Sequence, residues 1–401
     1  MKTILNFIPG AGGGGLQNIL SFAQILCNDE SKKNSFIIVA VRDSKIHEMF
    51  SNAGFEVKEV EKGLLNRIAF ELKAKKYFSP GQVCFTFWGP PIIGTKNFLI
   101  NVVGCALSNL FYPEINFWGY YPFFEREKRL LKDVYQRKML VLADYWIFET
   151  SVLARRAVEL CNFPKHRVGV VRMTPSSLVS PDKIKPELTA KLNKELPKGF
   201  KFLILSSAIP NKRQHLLPVF AENMKKCRDF SFITTMDNKL AYTKAVYNKI
   251  AQKGLEKYFY NIGPIPSDDV ATLIDQCDAM CSFSVLESFS NNFVEAWHMN
   301  KPLIVADADW ARSSCGEGAL YVDTQRPQMV AQELCRLIDD EFLRNKLVQF
   351  GRYQLSTYPN RIEKNNLYYH EIERARALSF LPKNERTQIK WPHISREPLK
   401  Y

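Results

Sequence analysis

The chain has 401 residues, 46% of them hydrophobic and 24% charged. It is too long for one ordinary core and suits two domains of about 150–200 residues. The composition excludes a disordered chain, and the lack of any apolar run of about 18 residues excludes a membrane-spanning helix. With 55 basic and 41 acidic residues the net charge is +14, so an anionic partner is expected: nucleotide phosphates, an anionic membrane or a nucleic acid. The nine cysteines are scattered and include no C-x-x-C, which favours reduced thiols in a cytosolic protein over a disulfide framework or a zinc site.

In chain order, the segment after Met1 is apolar only to Ile8 and reads as a buried strand, not a signal peptide. Further strands are expected at 35–41, 83–87, 98–103, 146–148 and 168–171, all rich in β-branched and aromatic residues. Such runs, with little polar alternation, suit strands buried on both faces of a parallel sheet. Helical patterns lie between them at 16–27, 45–52 and 125–143. From Thr174 to Lys198 the prolines and serines are breakers, with one short helix at 186–195, and a domain boundary is placed here. A second alternation follows. Its strands are expected at 202–206, 230–234, 258–262, 279–283, 303–306 and 320–322, and its helices at 214–223, 239–253, 267–276, 292–299, 327–339 and 341–357. The predicted fold is α/β: two Rossmann-like, doubly wound domains (1–185 and 198–360) facing each other across a cleft. A last helix at 361–378 and a tail to Tyr401 are expected to return to the first domain.

The strongest motif runs from Ser284 to Trp297, between a strand and the helix that follows it. Small residues at Ser288 and Ser290 let backbone amides approach a ligand, and the positive end of the helix suits a pyrophosphate. Glu287 and Glu295 lie about two turns apart and can address one cleft, where carboxylates pair with the vicinal hydroxyls of a ribose or hexose. A capped helix with two solvated glutamates fits the spacing equally well.

The stretch from Glu287 through Phe289 to Glu295-Ala296 resembles the E-x7-E motif of family 4 of the retaining glycosyltransferases, which have the GT-B fold. The usual E-G-F-G-x-x-x-x-E-A text has serines here in place of both glycines. The resemblance extends over Asn261–Ile265, Lys301–Asp307 and Cys315–Asp323, roughly the whole second domain. It implies that Glu287 contacts the donor sugar and Glu295 the donor ribose, and that the backbone of Ser288, Phe289, Ser290 and Asn291 holds the diphosphate. It also gives Lys212 the part of the family's phosphate-binding lysine. The arginine position is occupied by Ser207, and the adjacent Arg213 is the candidate substitute. A cation is wanted there because the leaving nucleoside diphosphate develops charge.

In the first domain the glycine run from Gly10 to Gly15 lacks the strict dinucleotide or P-loop pattern. By resemblance it borders donor and acceptor, with Gly13 and Gly14 as the points of close approach. Many relatives carry a His or Asp after the fourth strand, where this chain reads Asn101 to Asn109. Ser108 and Asn109 are the acceptor-side candidates, and neither is a general base. Same-face displacement, in which the leaving phosphate takes the acceptor proton, needs none. Asp307-Ala308-Asp309 matches a D-x-D metal motif in form only, and no metal or other cofactor is expected. Thr234 and Ile265 are placed where the base is held, without revealing which base. The aromatic run from Phe111 to Phe124, ahead of a basic helix start, suits a membrane interface or a lipid-linked sugar, although most of these rings are expected in the core.

The reading is a retaining, metal-independent hexosyltransferase using a nucleotide diphosphate sugar. Its acceptor is a sugar or lipid-linked sugar, in cell-envelope polysaccharide assembly on the cytoplasmic side, with peripheral contact to an anionic membrane. A nucleotide-sugar epimerase of the same build and a non-catalytic carbohydrate- or membrane-binding protein remain open. No recognition helix, zinc finger or aromatic RNA-binding signature points to nucleic acid.

Overall fold

The computed structural model describes residues 1–10, 13–227 and 229–392. Ala11 and Gly12 of the glycine run, and the tail from residue 393 onward, lie outside the described residues. The chain divides into two compact units. One comprises residues 1–116, 122–174 and the described residues from 359 on; the other comprises 117–121 and 175–358.

The first unit is built on seven strands: β1 (Thr3–Asn6), β2 (Phe36–Val41), β3 (Glu56–Val60), β4 (Val83–Thr86), β5 (Ile100–Cys105), β6 (Tyr145–Phe148) and β7 (Val168–Val170). They form one parallel sheet in the order β3-β2-β1-β4-β5-β6-β7. Side chains alternate between its faces. Leu5, Ile38, Phe85, Val102 and Ile147 share a core with the helices Gly13–Cys27, Lys45–Asn52 and Arg361–Leu378. On the opposite face Ile4, Val39 and Cys84 pack with Phe70 of the helix Leu64–Lys73. Trp146 alternates with Tyr145 and Ile147, so it points to that second face, and its indole N–H donates to the Leu140 carbonyl at 3.2 Å. The helix Phe123–Leu140 therefore covers the same face as Leu64–Lys73.

The helix Arg361–Leu378 closes the first unit. Phe22 meets Tyr368 edge to face, the Tyr145 hydroxyl donates to Glu371, and Arg386 pairs with buried Asp144 at 2.6 Å. Lys364 is buried with its ammonium on the Asn18 side-chain oxygen, and desolvation lowers its pKa to about 8.

The second unit holds six parallel strands: β8 (Phe200–Ile204), β9 (Phe230–Thr234), β10 (Phe259–Asn261), β11 (Ala279–Ser282), β12 (Leu303–Ala306) and β13 (Leu320–Val322). Their order is β10-β9-β8-β11-β12-β13. In each sheet the strands run outward to one side and then, from a central pair, outward to the other, which is the doubly wound arrangement of a Rossmann domain.

The structure departs from the sequence expectations in several places. Strand β3 was not expected: it is a sheet edge, where Glu56, Lys58 and Glu59 face water and dilute the apolar signal. The helices Leu64–Lys73, Ser151–Cys161 and Asp309–Cys315 were not expected either. The first helix starts at Gly13 rather than Leu16, so Gly13 and Gly14 form its first turn instead of a loop. Finally, Cys227 and Cys335 are joined as a disulfide, with Cα atoms 5.8 Å apart and 108 residues between them in sequence. This corrects the expectation of reduced thiols at that pair: the contact is created by the packing of Leu217–Asn223 on Pro327–Asp339, not by sequence spacing.

Within the second unit the helix Asn291–His298 is fixed by Trp297, whose indole N–H donates to the Gly318 carbonyl at 2.7 Å. Gly351 lies against this ring so closely that a Cβ there would sit 2.4 Å from Trp297 Cδ1. Gly351→Ala is expected to cost about 1–3 kcal/mol through overpacking, a fall of several degrees in melting temperature measured by calorimetry.

Candidate active site

The central pair of the second sheet is β8 beside β11. The chain leaves β8 toward β9 on one side and leaves β11 toward β12 on the other. The two loops at the C-terminal ends of these strands therefore diverge, and a crevice opens where open α/β sheets bind ligands. Lys212 follows β8 and Glu287 follows β11.

Three contacts tie the second loop and its helix to the first. The Val285 N–H donates to the Asn211 carbonyl at 2.8 Å, and the Asn292 side-chain amide donates to the Leu205 carbonyl at 2.8 Å. The Lys212 ammonium donates to Glu287 Oε1, which also accepts from the Ser284 hydroxyl at 2.7 Å. From behind, the Trp310 indole donates to the Val285 carbonyl at 3.2 Å. Lys212 and Glu287 are both largely buried as a pair, so each holds the other at the mouth of the loops.

The helix Asn291–His298 begins right after the second loop, with Ser290 at its cap and no side-chain cap hydrogen bond. Its first-turn amides face the loop end and suit an anion. About one turn into this helix, Glu295 is 7% exposed, and desolvation raises its pKa from 4.5 to about 7. Among the described residues none donates a hydrogen bond to its carboxyl.

The remaining sequence candidates divide. Ser288 and Asn291 stand half-exposed at the loop end and Ser290 is buried there. The Phe289 ring packs on Phe293 and Tyr358, so this residue offers the crevice its backbone only. Arg213 has a left-handed backbone (φ 56), is buried, and donates to the Thr324 hydroxyl. Of the two basic residues it is Lys212 that pairs with Glu287. The Thr234 hydroxyl ends β9 already bonded to Tyr247 and Asn261, each at 2.8 Å. Asp307 makes a two-pronged ion pair with Arg312, at 2.5 and 2.8 Å. Ser108 and Asn109 belong to the first unit, in a turn just past β5, with Ser108 buried and the Asn109 side-chain N–H group buried without a partner. Gly13 and Gly14 also belong to the first unit, at the helix start that follows β1.

Sequence reasoning gave no part to Ser284, Asn211, Asn292 or His215. The first three are the fasteners just described. His215 follows Arg213, bonds the Tyr242 hydroxyl at 2.9 Å and lies under the Tyr120 ring, and burial lowers its pKa to about 4, so it is neutral at pH 7. An Asn in the first turn of a helix was the available signal for Asn292; nothing in the sequence marks His215.

Residues 190–354 match the family described as Glycosyl transferases group 1. No curated protein sequence matches the chain. Among solved structures the chain is similar to a glycosyltransferase from Rickettsia africae (16% identity, TM-score 0.67, covering 93% of this chain and 98% of that one). It is also similar to Anabaena Alr3699/HepE in complex with UDP-glucose (15% identity, TM-score 0.68, 93% and 99%). A third is sucrose-phosphate synthase from Thermosynechococcus elongatus (13% identity, TM-score 0.69, 94% and 100%). The fold is GT-B, and the chain is a glycosyltransferase.

Glu295 makes a stability prediction. Its folded pKa lies above its ordinary value, so the folded chain keeps a proton that the unfolded chain releases between pH 4.5 and about 7. Stability is lost as pH rises through that window, by about 3 kcal/mol in total. Without ligand, Glu295→Gln is expected to melt level with the wild type at pH 4.5 and several degrees above it at pH 8. Parallel melting curves across the range would remove the buried, unpaired carboxyl.

Proposed function

We propose that this chain is a retaining, metal-independent hexosyltransferase that takes its donor as a nucleotide diphosphate sugar in the second unit. The observation that carries the reading is the Lys212–Glu287 pair at the crevice between β8 and β11, next to the start of the Asn291–His298 helix. A diphosphate fits there. Lys212 and the helix-start amides around Ser288–Asn291 offset the charge that builds on the leaving phosphate. Glu287 is turned toward the donor sugar, and Glu295 accepts hydrogen bonds from the ribose hydroxyls. That last contact is favourable because the hydroxyls replace water around a carboxylate the fold has already stripped of it.

Protein cations do the work of an ion in this scheme, and Asp307, already tied to Arg312, is not free to ligate one. The acceptor proton passes to the leaving phosphate on the same face of the sugar, so the bond to the acceptor forms as the bond to phosphate breaks. Neither Ser108 nor Asn109 is asked to act as a base; they orient acceptor hydroxyls. Gly13 and Gly14 present the first-turn amides of their helix on the acceptor side. A UDP-sugar is the first donor to test, since Anabaena Alr3699/HepE is seen with UDP-glucose. The acceptor is a sugar or a lipid-linked sugar, the setting is cell-envelope polysaccharide assembly, and the enzyme works from the cytoplasm at an anionic membrane surface.

Thermal shifts with UDP, GDP, CDP and ADP test the donor site. A nucleotide at about 100 times its dissociation constant stabilises by roughly 2.7 kcal/mol. One nucleotide is expected to raise the melting temperature of the wild type equally with and without chelator, and to do so far less in Glu295→Ala. No shift with any of the four would sink the donor-site reading, and dependence on a divalent ion would sink metal independence. In hydrolysis or transfer of the responding nucleotide's sugar, Lys212→Ala is expected to lower kcat by about 10²–10³.

A further inference from the structure

Sixteen large apolar side chains stand exposed among the described residues, and nine of them belong to two segments of the first unit. Scattered single exposures are ordinary; clusters of this kind mark interaction surfaces. On the helix Phe123–Leu140 the exposed rings and chains include Phe123, Phe124 (86% exposed) and Leu131 (71%), with Val134 and Tyr135 each about half in solvent. Phe124, Lys128, Leu131, Tyr135 and Lys138 follow one another at steps of four, three, four and three, so they form one helical stripe. Asp133, Met139 and Leu140 are buried on the opposite side.

The charges on this stripe are one-sided. Of the three acids, Asp133 is buried, Glu125 is bonded to Arg129 at 2.8 Å, and Glu127 lies 3.4 Å from Arg126. Lys128, Lys132 and Lys138 stay exposed among the apolar groups. The second segment repeats the pattern. Leu64, Leu65, Leu72 and Tyr77 are exposed, and between residues 62 and 80 the one acid, Glu71, is buried and bonded to Arg67 at 2.6 Å. Lys73, Lys75 and Lys76 are exposed beside them. Both helices lie on the sheet face of Ile4, Val39 and Trp146, and both begin toward the edge where the strands end. The acceptor-side turn of Ser108 and Asn109 is at that edge.

We infer that the Leu64–Lys73 and Phe123–Leu140 face is a docking surface for an anionic lipid bilayer, with Phe123, Phe124 and Leu131 entering the headgroup boundary. Aromatic and aliphatic groups partition into that layer while lysines at its level meet acidic headgroups. A second copy of the chain is a poor occupant, because apposing the faces brings like charges together. The inference rests on the proposed membrane setting but not on the donor site. It adds a consequence for the reaction: docking this way holds the acceptor-side edge of the first sheet at the bilayer surface, where a lipid-linked sugar is delivered.

Co-sedimentation of the full chain with vesicles of phosphatidylcholine, with and without about one third phosphatidylglycerol, tests the inference. The wild type is expected to bind the anionic vesicles, to bind neutral ones far less, and to release as salt rises. The triple variant Phe123→Ser/Phe124→Ser/Leu131→Ser is expected to bind at least roughly tenfold more weakly, and Lys128→Glu/Lys132→Glu/Lys138→Glu likewise. Both should keep the wild-type nucleotide thermal shift, which certifies the fold and separates this test from that of the donor site. Absence of wild-type binding would overturn the membrane setting. Undiminished binding by both variants would overturn this face as the contact. A concentration-dependent dimer in ultracentrifugation that both variants abolish would assign the face to a second copy instead.

Discussion

The crevice of the second unit depends on two residue pairs. Ala279 beside Phe202 and Met280 beside Leu203 are the register contacts that bring β11 against β8, and they join the halves of the second sheet. Because the chain departs from these strands in opposite directions, the loops that follow cannot cover their own ends. The Val285–Asn211 and Asn292–Leu205 hydrogen bonds then set the gap between loops that are about 75 residues apart in sequence. The Lys212–Glu287 pair is a product of that geometry. Neither side chain is placed by its own loop alone.

The two glutamates of the motif are in different conditions. Glu287 has a cation and a hydroxyl at hand, whereas Glu295 has been taken out of water without a partner. A buried acid of that kind holds a proton near neutrality and costs the free protein stability. In the proposed donor site, a ligand offering hydroxyl donors to Glu295 would relieve that cost. Preorganisation here is therefore an electrostatic matter as much as one of shape.

Much of the fold was legible from apolar runs, since a parallel strand buried on both faces has little polar content to blur its limits. Phe230–Thr234, Leu303–Ala306 and Arg361–Leu378 are found where the sequence put them. Strand β3 was hidden because an edge strand with Glu56, Lys58 and Glu59 resembles a polar loop. The Leu64–Lys73 helix was hidden because its exposed leucines obscure the usual amphipathic pattern. The motif singled out Glu287, Glu295 and Lys212 as candidates, but the burial of Glu295, the turn of Arg213 toward Thr324 and the neutral His215 are properties of packing. The aromatic run split in a way no sequence pattern marks: Phe111 and Tyr112 went to the core, while Phe123 and Phe124 went to solvent. The Cys227–Cys335 bond was equally out of reach, being a contact across 108 residues.

The return of Arg361–Leu378 to the first unit bears on how the protein is made. Until that helix leaves the ribosome, the sheet face of Phe85, Val102 and Ile147 lacks Tyr368, Ile372 and Ala375, and Tyr145 and Gly169 lack Glu371. The unit that is synthesised first is therefore the last to be completed. The second unit, encoded within 175–358, has all of its sheet available earlier. Nascent chains thus carry a half-built hydrophobic face while residues 175–358 are being made, which is a period in which chaperones and neighbouring chains compete for it.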